Sequence, residues 1–146
     1  MDEALRTFPG LPHRMERVRE KDRLLFVNDS KATNPTATAP ALAAFPSIRW
    51  IVGGQAKTDD LDECAPHFGN VRSAYTIGEA AALFERLLKP HMPVKNCGKL
   101  DAAVREAAAD AKPGDTVLLS PACASFDQFR DFEDRGDAFK ALVGAL

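Results

Sequence analysis

The sequence predicts an α/β fold with a mostly parallel, twisted sheet, helices on both faces, and one antiparallel strand from an opening hairpin. Three observations predict it. Short apolar runs alternate with helical patterns along most of the 146 residues, an order that implies βαβ crossovers. The first two extended runs are instead joined by a tight polar turn. And clusters of Ser, Thr, Lys, Gly and Asp recur just after strands, where open α/β sheets place their ligands.

The elements follow in order. Arg17–Glu20 and Leu24–Asn28 read as a hairpin turned at Lys21-Asp22-Arg23. Pro35 suits a first helical turn, and an alanine-rich helix over Ala37–Phe45 stops at Pro46. Ile48–Val52 is a continuous apolar run ending in Gly53-Gly54, as a buried strand would. Asp59–Phe68 is expected to be helical and Ser73–Ile77 a strand closed by Gly78. Glu79–Leu88 is a helix ended by Pro90, Val94–Cys97 a short strand, and Leu100–Ala111 a helix with Asp101 near its start. The turn Pro113-Gly114-Asp115 precedes the strand Thr116–Leu119. Phe126–Leu146 is expected to be helical, with a break at Gly136.

Composition narrows the function classes. The length fits one domain, and a net charge of −2 sets up no strong field toward nucleic acid or an anionic membrane. No apolar run approaches the roughly 20 residues of a membrane span, and the charged start MDEALRTFPG has no apolar signal core, so a cytoplasmic chain is expected. Cys64, Cys97 and Cys123 lie far apart without CxxC spacing and read as reduced thiols. The histidines are isolated, so no protein-held metal is expected.

Four clusters carry the chemistry. The stretch Asn28-Asp29-Ser30-Lys31-Ala32-Thr33-Asn34-Pro35 puts a carboxylate, a cation and two hydroxyls ahead of a helix. Thr33 or Asn34 could cap that helix; the same helix end, with Lys31, could also hold an anion. In Gly53-Gly54-Gln55-Ala56-Lys57, paired glycines allow close ligand approach. This is neither a GxxxxGK[ST] phosphate loop nor a GxGxxG fingerprint, which argues against an NAD-dependent enzyme. In Ser120–Asp127, Ser125 could be a helix N-cap, and Cys123 makes a poor nucleophile with no histidine nearby in sequence. In Gly10-Leu11-Pro12-His13-Arg14, His13 reads as structural, whereas Arg14 could bind phosphate bidentately.

Together the strings GLPHRME (from Gly10), NDSKATNP (from Asn28), GGQAK (from Gly53) and LLSPACASFDQFRDFEDRG (from Leu118) resemble the D-glutamate-adding branch of the Mur ligase family over essentially the whole chain. The resemblance implies a Rossmann-like fold. It also implies that residues 1–146 form a C-terminal, amino-acid-binding domain, with UDP-binding and central ATPase domains lying upstream. The implied reaction joins D-glutamate to UDP-N-acetylmuramoyl-L-alanine at the expense of ATP, with Mg²⁺ held mainly by the central domain. The isolated domain is then expected to be inactive and to supply no catalytic residue.

The resemblance further implies that Arg14 faces phosphate, Asp29 the ribose side and Lys31 the anionic groups where domains meet. Thr33, Lys57, Ser125 and Phe132 would hold D-glutamate, assisted by backbone N–H near Phe126. The residue chemistry fits, because a dicarboxylate needs charged and N–H or O–H partners. The alternative from another class is a free-standing α/β module that binds a small anion without chemistry.

Overall fold

The computed structural model describes residues 12–146; Gly10 and Leu11 of the GLPHRME string lie outside them. The elements are β1 (Glu16–Lys21), β2 (Leu24–Asn28), α1 (Pro35–Ala44), β3 (Ile48–Gly53), a 3₁₀ helix (Asp62–Asn70), β4 (Val71–Ile77), α2 (Ala81–Leu88), β5 (Val94–Gly98), α3 (Leu100–Asp110), β6 (Thr116–Leu119) and α4 (Phe132–Gly144). The six strands form one sheet in the order β1-β2-β6-β3-β4-β5. Only the β1–β2 hairpin is antiparallel; every other pairing is parallel. The last strand inserts between β2 and β3, so the chain reverses its direction of travel across the sheet there, and such reversals are where open sheets leave a crevice.

The core has two halves because strand residues alternate faces. Val27, Ile48, Trp50, Val52 and Leu118 pack on one side against Ala41 and Leu42 of α1, Cys64 of the 3₁₀ helix, and Phe84 and Leu88 of α2. Phe26, Ile51, Val117 and Leu119 face the other way, toward Leu100, Val104 and Ala107 of α3 and Phe139 and Val143 of α4. Each of these large side chains is fully buried or nearly so and contributes about 1.5–3 kcal/mol. Both faces of the sheet are therefore covered, as the continuous apolar runs require.

Local chemistry sets the helix starts. Asn34 caps α1, its side chain accepting the Ala37 N–H at 2.8 Å with Pro35 in the first turn; Thr33 does not cap it. The expected helix over Asp59–Phe68 is a 3₁₀ helix shifted to Asp62–Asn70, with Pro66 inside it, where an α-helical hydrogen bond is removed. The expected helix from Phe126 is corrected more sharply. α4 begins only at Phe132, where Asp131 accepts the Asp134 N–H at 2.7 Å. Ser125 opens a tight turn instead, its carbonyl accepting from Gln128 and Phe129. Nor does α4 break at Gly136. That glycine is buried because a Cβ there would sit 2.1 Å from His13 Nδ1 and 2.9 Å from Asn28 Nδ2, so close packing explains it.

Candidate functional site

Three loops meet at the carboxyl edge of the parallel strands, and backbone hydrogen bonds lace them together. The loop after β2 is tied to the loop after β6 by Ala122 N–H donating to Ala32 O at 3.0 Å. The loop after β3 is tied to the same segment twice, by Gly53 N–H to Pro121 O and by a reciprocal Gln55–Ala124 bridge. Gly54 adopts φ +133°, and a Cβ there would meet Ala124 O at 2.6 Å. The paired glycines are thus needed for close approach of two backbones.

On the α1 side of this edge, Arg14, Asp29 and Lys31 line one cavity of about 300 Å³ with Met15, Ala32, Ala37 and Pro40. Asp29 is 3% exposed. Its Oδ1 accepts the Met15 N–H at 3.0 Å and its Oδ2 accepts the Ser120 hydroxyl at 2.7 Å. The carbonyl of Ser120 is held in turn by the Trp50 indole N–H at 2.8 Å, so a core side chain of β3 fixes the orientation of a site carboxylate. Burial pushes the Asp29 carboxyl up to about 6, against the opposing pull of Ser120, Met15 N–H and the Arg14 charge. Arg14 and Lys31 are exposed and form no ion pair with another described residue. Two uncommitted cations over one carboxylate suit a ligand with anionic groups and hydroxyls.

The residues expected to hold D-glutamate sit on the laced loops. Thr33 is half-buried immediately after Ala32; Lys57 is exposed two residues after Gln55; Ser125 is buried next to Ala124. No hydrogen bond joins these three side chains among the described residues, so the backbone brings their loops together and leaves the side chains uncommitted. Phe126 is 68% exposed, the only large apolar side chain so exposed among the described residues. Phe132 opens α4, with its carbonyl accepting the Ser30 hydroxyl at 2.6 Å and its ring edge-on to His13 at 6.0 Å.

Other residues read from the sequence resolve as structural. His13 is buried, in contact with Asn28 Nδ2 at 2.9 Å through Nδ1. Cys123 is fully buried and burial pushes its thiol up to about 12, which excludes a thiolate nucleophile at neutral pH. Among the described residues no three His, Cys, Asp or Glu side chains converge as a metal cage, and no helix is long and apolar enough to cross a membrane. A larger cavity of about 620 Å³ lies between α3 and α4 beside Gln128 and Phe129; none of the candidate ligand-binding residues lines it.

Two residues were missed. Ser30 and Arg135 are fully or almost fully buried, Arg135 at 1% exposure, and they bind each other beneath the loops. The usable signal was periodic: Arg135 shares a helical face with Phe139 and Val143, and a cation on an apolar stripe must find partners inside.

A family model described as "Mur ligase, glutamate ligase domain" matches residues 13–123. The chain belongs to the Mur ligase family. Relatives named UDP-N-acetylmuramoylalanine–D-glutamate ligase include one from Novosphingobium aromaticivorans, 64% identical over 98% of this chain and 32% of its own length. Another, from Zymomonas mobilis, is 54% identical over 100% of this chain and 33% of its own length. The chain thus spans about a third of the length of the curated relatives it matches.

Solved structures share the fold at low identity. The bifunctional folylpolyglutamate synthase/dihydrofolate synthase of Yersinia pestis, complexed with AMPPNP and Mn ion, superposes with a TM-score of 0.65 at 20% identity, covering 92% of this chain and 32% of that one. UDP-N-acetylmuramate–alanine ligase of Thermotoga maritima gives 0.60 at 11% identity, over 93% and 31%. At these identities the likeness is one of fold, and it agrees with the Rossmann-like sheet expected from the sequence.

Proposed function

We propose that this chain is the amino-acid-binding domain of a cytoplasmic, ATP-dependent ligase that adds D-glutamate to UDP-N-acetylmuramoyl-L-alanine in peptidoglycan precursor synthesis. In this reading ATP activates the substrate carboxylate as an acyl phosphate, and the amine of D-glutamate displaces phosphate to form the amide. The observation that carries it is the lacing of the loops after β2, β3 and β6 at one sheet edge, with the exposed cations Lys31 and Lys57 on the first two and Arg14, just ahead of β1, lining the same cavity as Lys31. The names of the relatives at 54–64% identity supply the substrate pair.

The residues then divide by chemistry. Arg14 meets phosphate, Asp29 accepts from ribose hydroxyls, and Lys31 serves the anionic groups at the domain junction. Lys57 pairs with a carboxylate of D-glutamate, while the hydroxyls of Thr33 and Ser125 and the N–H near Phe126 donate to its oxygens; Phe132 packs beside it. The shared cavity of Arg14, Asp29 and Lys31 fits a nucleotide's phosphate-and-hydroxyl edge. Mg²⁺ finds no three-carboxylate cage among the described residues and is assigned to the central domain of the full-length protein. There it would neutralise phosphate charge, as phosphoryl transfer requires.

The test is a coupled assay of the full-length protein. Release of ADP and phosphate should require both D-glutamate and UDP-N-acetylmuramoyl-L-alanine, and the 146-residue chain alone should release neither. Turnover that proceeds equally well without D-glutamate would overturn the reading.

A further inference from the structure

Beneath the laced loops lies a buried cation that forms no ion pair among the described residues, although the charge of Asp127 acts on it from further off. Arg135, on the sheet-facing side of α4, donates from Nε to Ser30 Oγ at 2.9 Å and from Nη2 to Ser30 O at 2.8 Å. Ser30 passes the connection on, its hydroxyl donating to Phe132 O at 2.6 Å. The third arm of the fork, Nη1, has no hydrogen-bond partner. It lies under Gly54, where a Cβ would come within 3.3 Å of it. The guanidinium thus bonds the loop after β2 and lies beneath Gly54, while Ser30, which it holds, bonds the first turn of α4.

Such a placement needs a reason. An arginine taken out of water costs free energy unless its fork is used, and burial has pushed this one down to about 10. Holding α4 against the sheet does not require it, because Phe139 and Val143 already pack that helix. What it uniquely joins is the pair of segments that bracket the proposed site. Ser30 lies between Asp29 and Lys31, assigned to the nucleotide, and Phe132 is assigned to D-glutamate.

Building on the ligase reading, we propose that Arg135 is a positioning residue that couples the nucleotide loop to the D-glutamate loops through Ser30. A shift of Lys31 on nucleotide binding moves Ser30, Ser30 moves Phe132 through its hydroxyl, and the Arg135 fork it holds shifts beneath Gly54. Neither substrate touches Arg135.

The experiment uses the full-length protein with Arg135→Lys, Ser30→Ala and the double variant. Phe139→Leu on the same helix serves as a variant that loosens packing without touching the network. Lysine keeps the charge but can reach only one of the two Ser30 acceptors. Arg135→Lys is expected to raise the KM for both ATP and D-glutamate at least fivefold, measured well below the melting transition. The double variant should be no worse than the more impaired single one, since both break one connection. Phe139→Leu should lower the melting temperature and leave both KM values within twofold.

Hydrogen exchange supplies a readout independent of the reaction. Arg135→Lys should speed exchange at the Ala122 and Ala124 amides and at Ala32 together. Faster exchange confined to α4, KM changes for one substrate alone, or additive effects in the double variant would overturn the proposal. A wild-type protein without D-glutamate-dependent turnover would sink the ligase reading instead, and the exchange pattern would still decide whether Arg135 ties the loops.

Discussion

The two edges of the sheet handle charge in opposite ways. At the amino edge every buried charge is answered. Arg49 donates to Asp115 at 3.0 Å and to the Ser73 hydroxyl at 3.0 Å, and Ser73 leads through Tyr75 to Asp110. Asp110 pairs with Lys95 at 3.0 Å. At the carboxyl edge Asp29 is buried beside two cations that hold no ion pair with a described residue, and Arg135 is buried with no carboxylate partner there. The carboxylates show the consequence. Burial alone would raise Asp115, yet hydrogen bonds from Ser47, Lys112 N–H and Arg49 hold it below the usual carboxylate range; Asp29, with fewer donors, is left at about 6. The amino edge is built for stability, whereas the carboxyl edge leaves its charges for something that arrives.

The largest expected effect tests that division directly. Lys57→Ala in the full-length protein should raise the KM for D-glutamate by roughly tenfold to a hundredfold, about 1.5–3 kcal/mol for a charge-assisted bond. The melting temperature should hardly move, because Lys57 is exposed and unpaired among the described residues. Unaltered D-glutamate kinetics would place the amino-acid pocket elsewhere on this edge.

Asp29→Asn should distinguish the edges by sign. A carboxyl whose folded pKa is raised from 3.8 to about 6 binds its proton more tightly when folded. Its contribution to stability is complete below pH 3.8 and is lost as pH rises through 6. Asparagine keeps the acceptor for Met15 N–H and offers an N–H to Ser120, but carries no charge. The 146-residue chain should therefore be more stable as Asp29→Asn by roughly 2–3 kcal/mol at pH 7.5, with the difference fading toward pH 4. Full-length Asp29→Asn should use ATP less well. Urea midpoints across that pH range measure the first effect, and no gain at pH 7.5 would show that the loop already neutralises Asp29.

Asp115→Asn should do the reverse. Its folded pKa is depressed, so its contribution is present above pH 3.8 and lost as pH falls through the lower folded value. Removing the charge from the Arg49 pair should cost on the order of 1–2 kcal/mol at pH 7, less than a fully sealed pair because Arg49 keeps some solvent contact. Both KM values should stay unchanged. A kinetic effect without a stability loss would break the comparison between the edges.

Legibility in the sequence follows the same division. β2 and β6 were readable to the residue, because four- and five-residue apolar runs bounded by turns are too short for helices and fit buried strands. The carboxyl-edge loops were readable as site segments for their unusual density of polar groups after strands. What escaped is tertiary. Phe126–Arg130 has the composition of a helix, but Asp131 supplies the cap and the helix waits for it. Ser30 stood inside a conspicuous motif, yet its partners lie 102 and 105 residues away, and no local pattern encodes that pairing. Arg135 lies among the charges of Asp131–Asp137, and only its partners across the fold set it apart.

The smallest expected effects decide whether Thr33 and Ser125 serve a ligand or the fold. From sequence alone either could be a helix cap, and a cap lost to alanine costs about 1 kcal/mol of stability. The structure gives both capping roles to neighbours: Asn34 caps α1 and Asp131 caps α4. Ser125 contributes its carbonyl, not its hydroxyl, to the turn with Gln128 and Phe129, and alanine preserves that. Thr33→Ala and Ser125→Ala should therefore leave the melting temperature nearly unchanged, while each raises the KM for D-glutamate about fivefold, on the order of 1 kcal/mol for a neutral hydrogen bond. Asn34→Ala and Asp131→Ala should show the opposite split, a melting temperature lower by a few degrees with little change in D-glutamate KM. Thermal melts of the 146-residue chain and initial rates of the full-length protein separate the two. If the Thr33 and Ser125 variants lose stability and keep normal D-glutamate kinetics, their hydroxyls belong to the scaffold, and Lys57 with the backbone N–H near Phe126 must hold the amino acid without them.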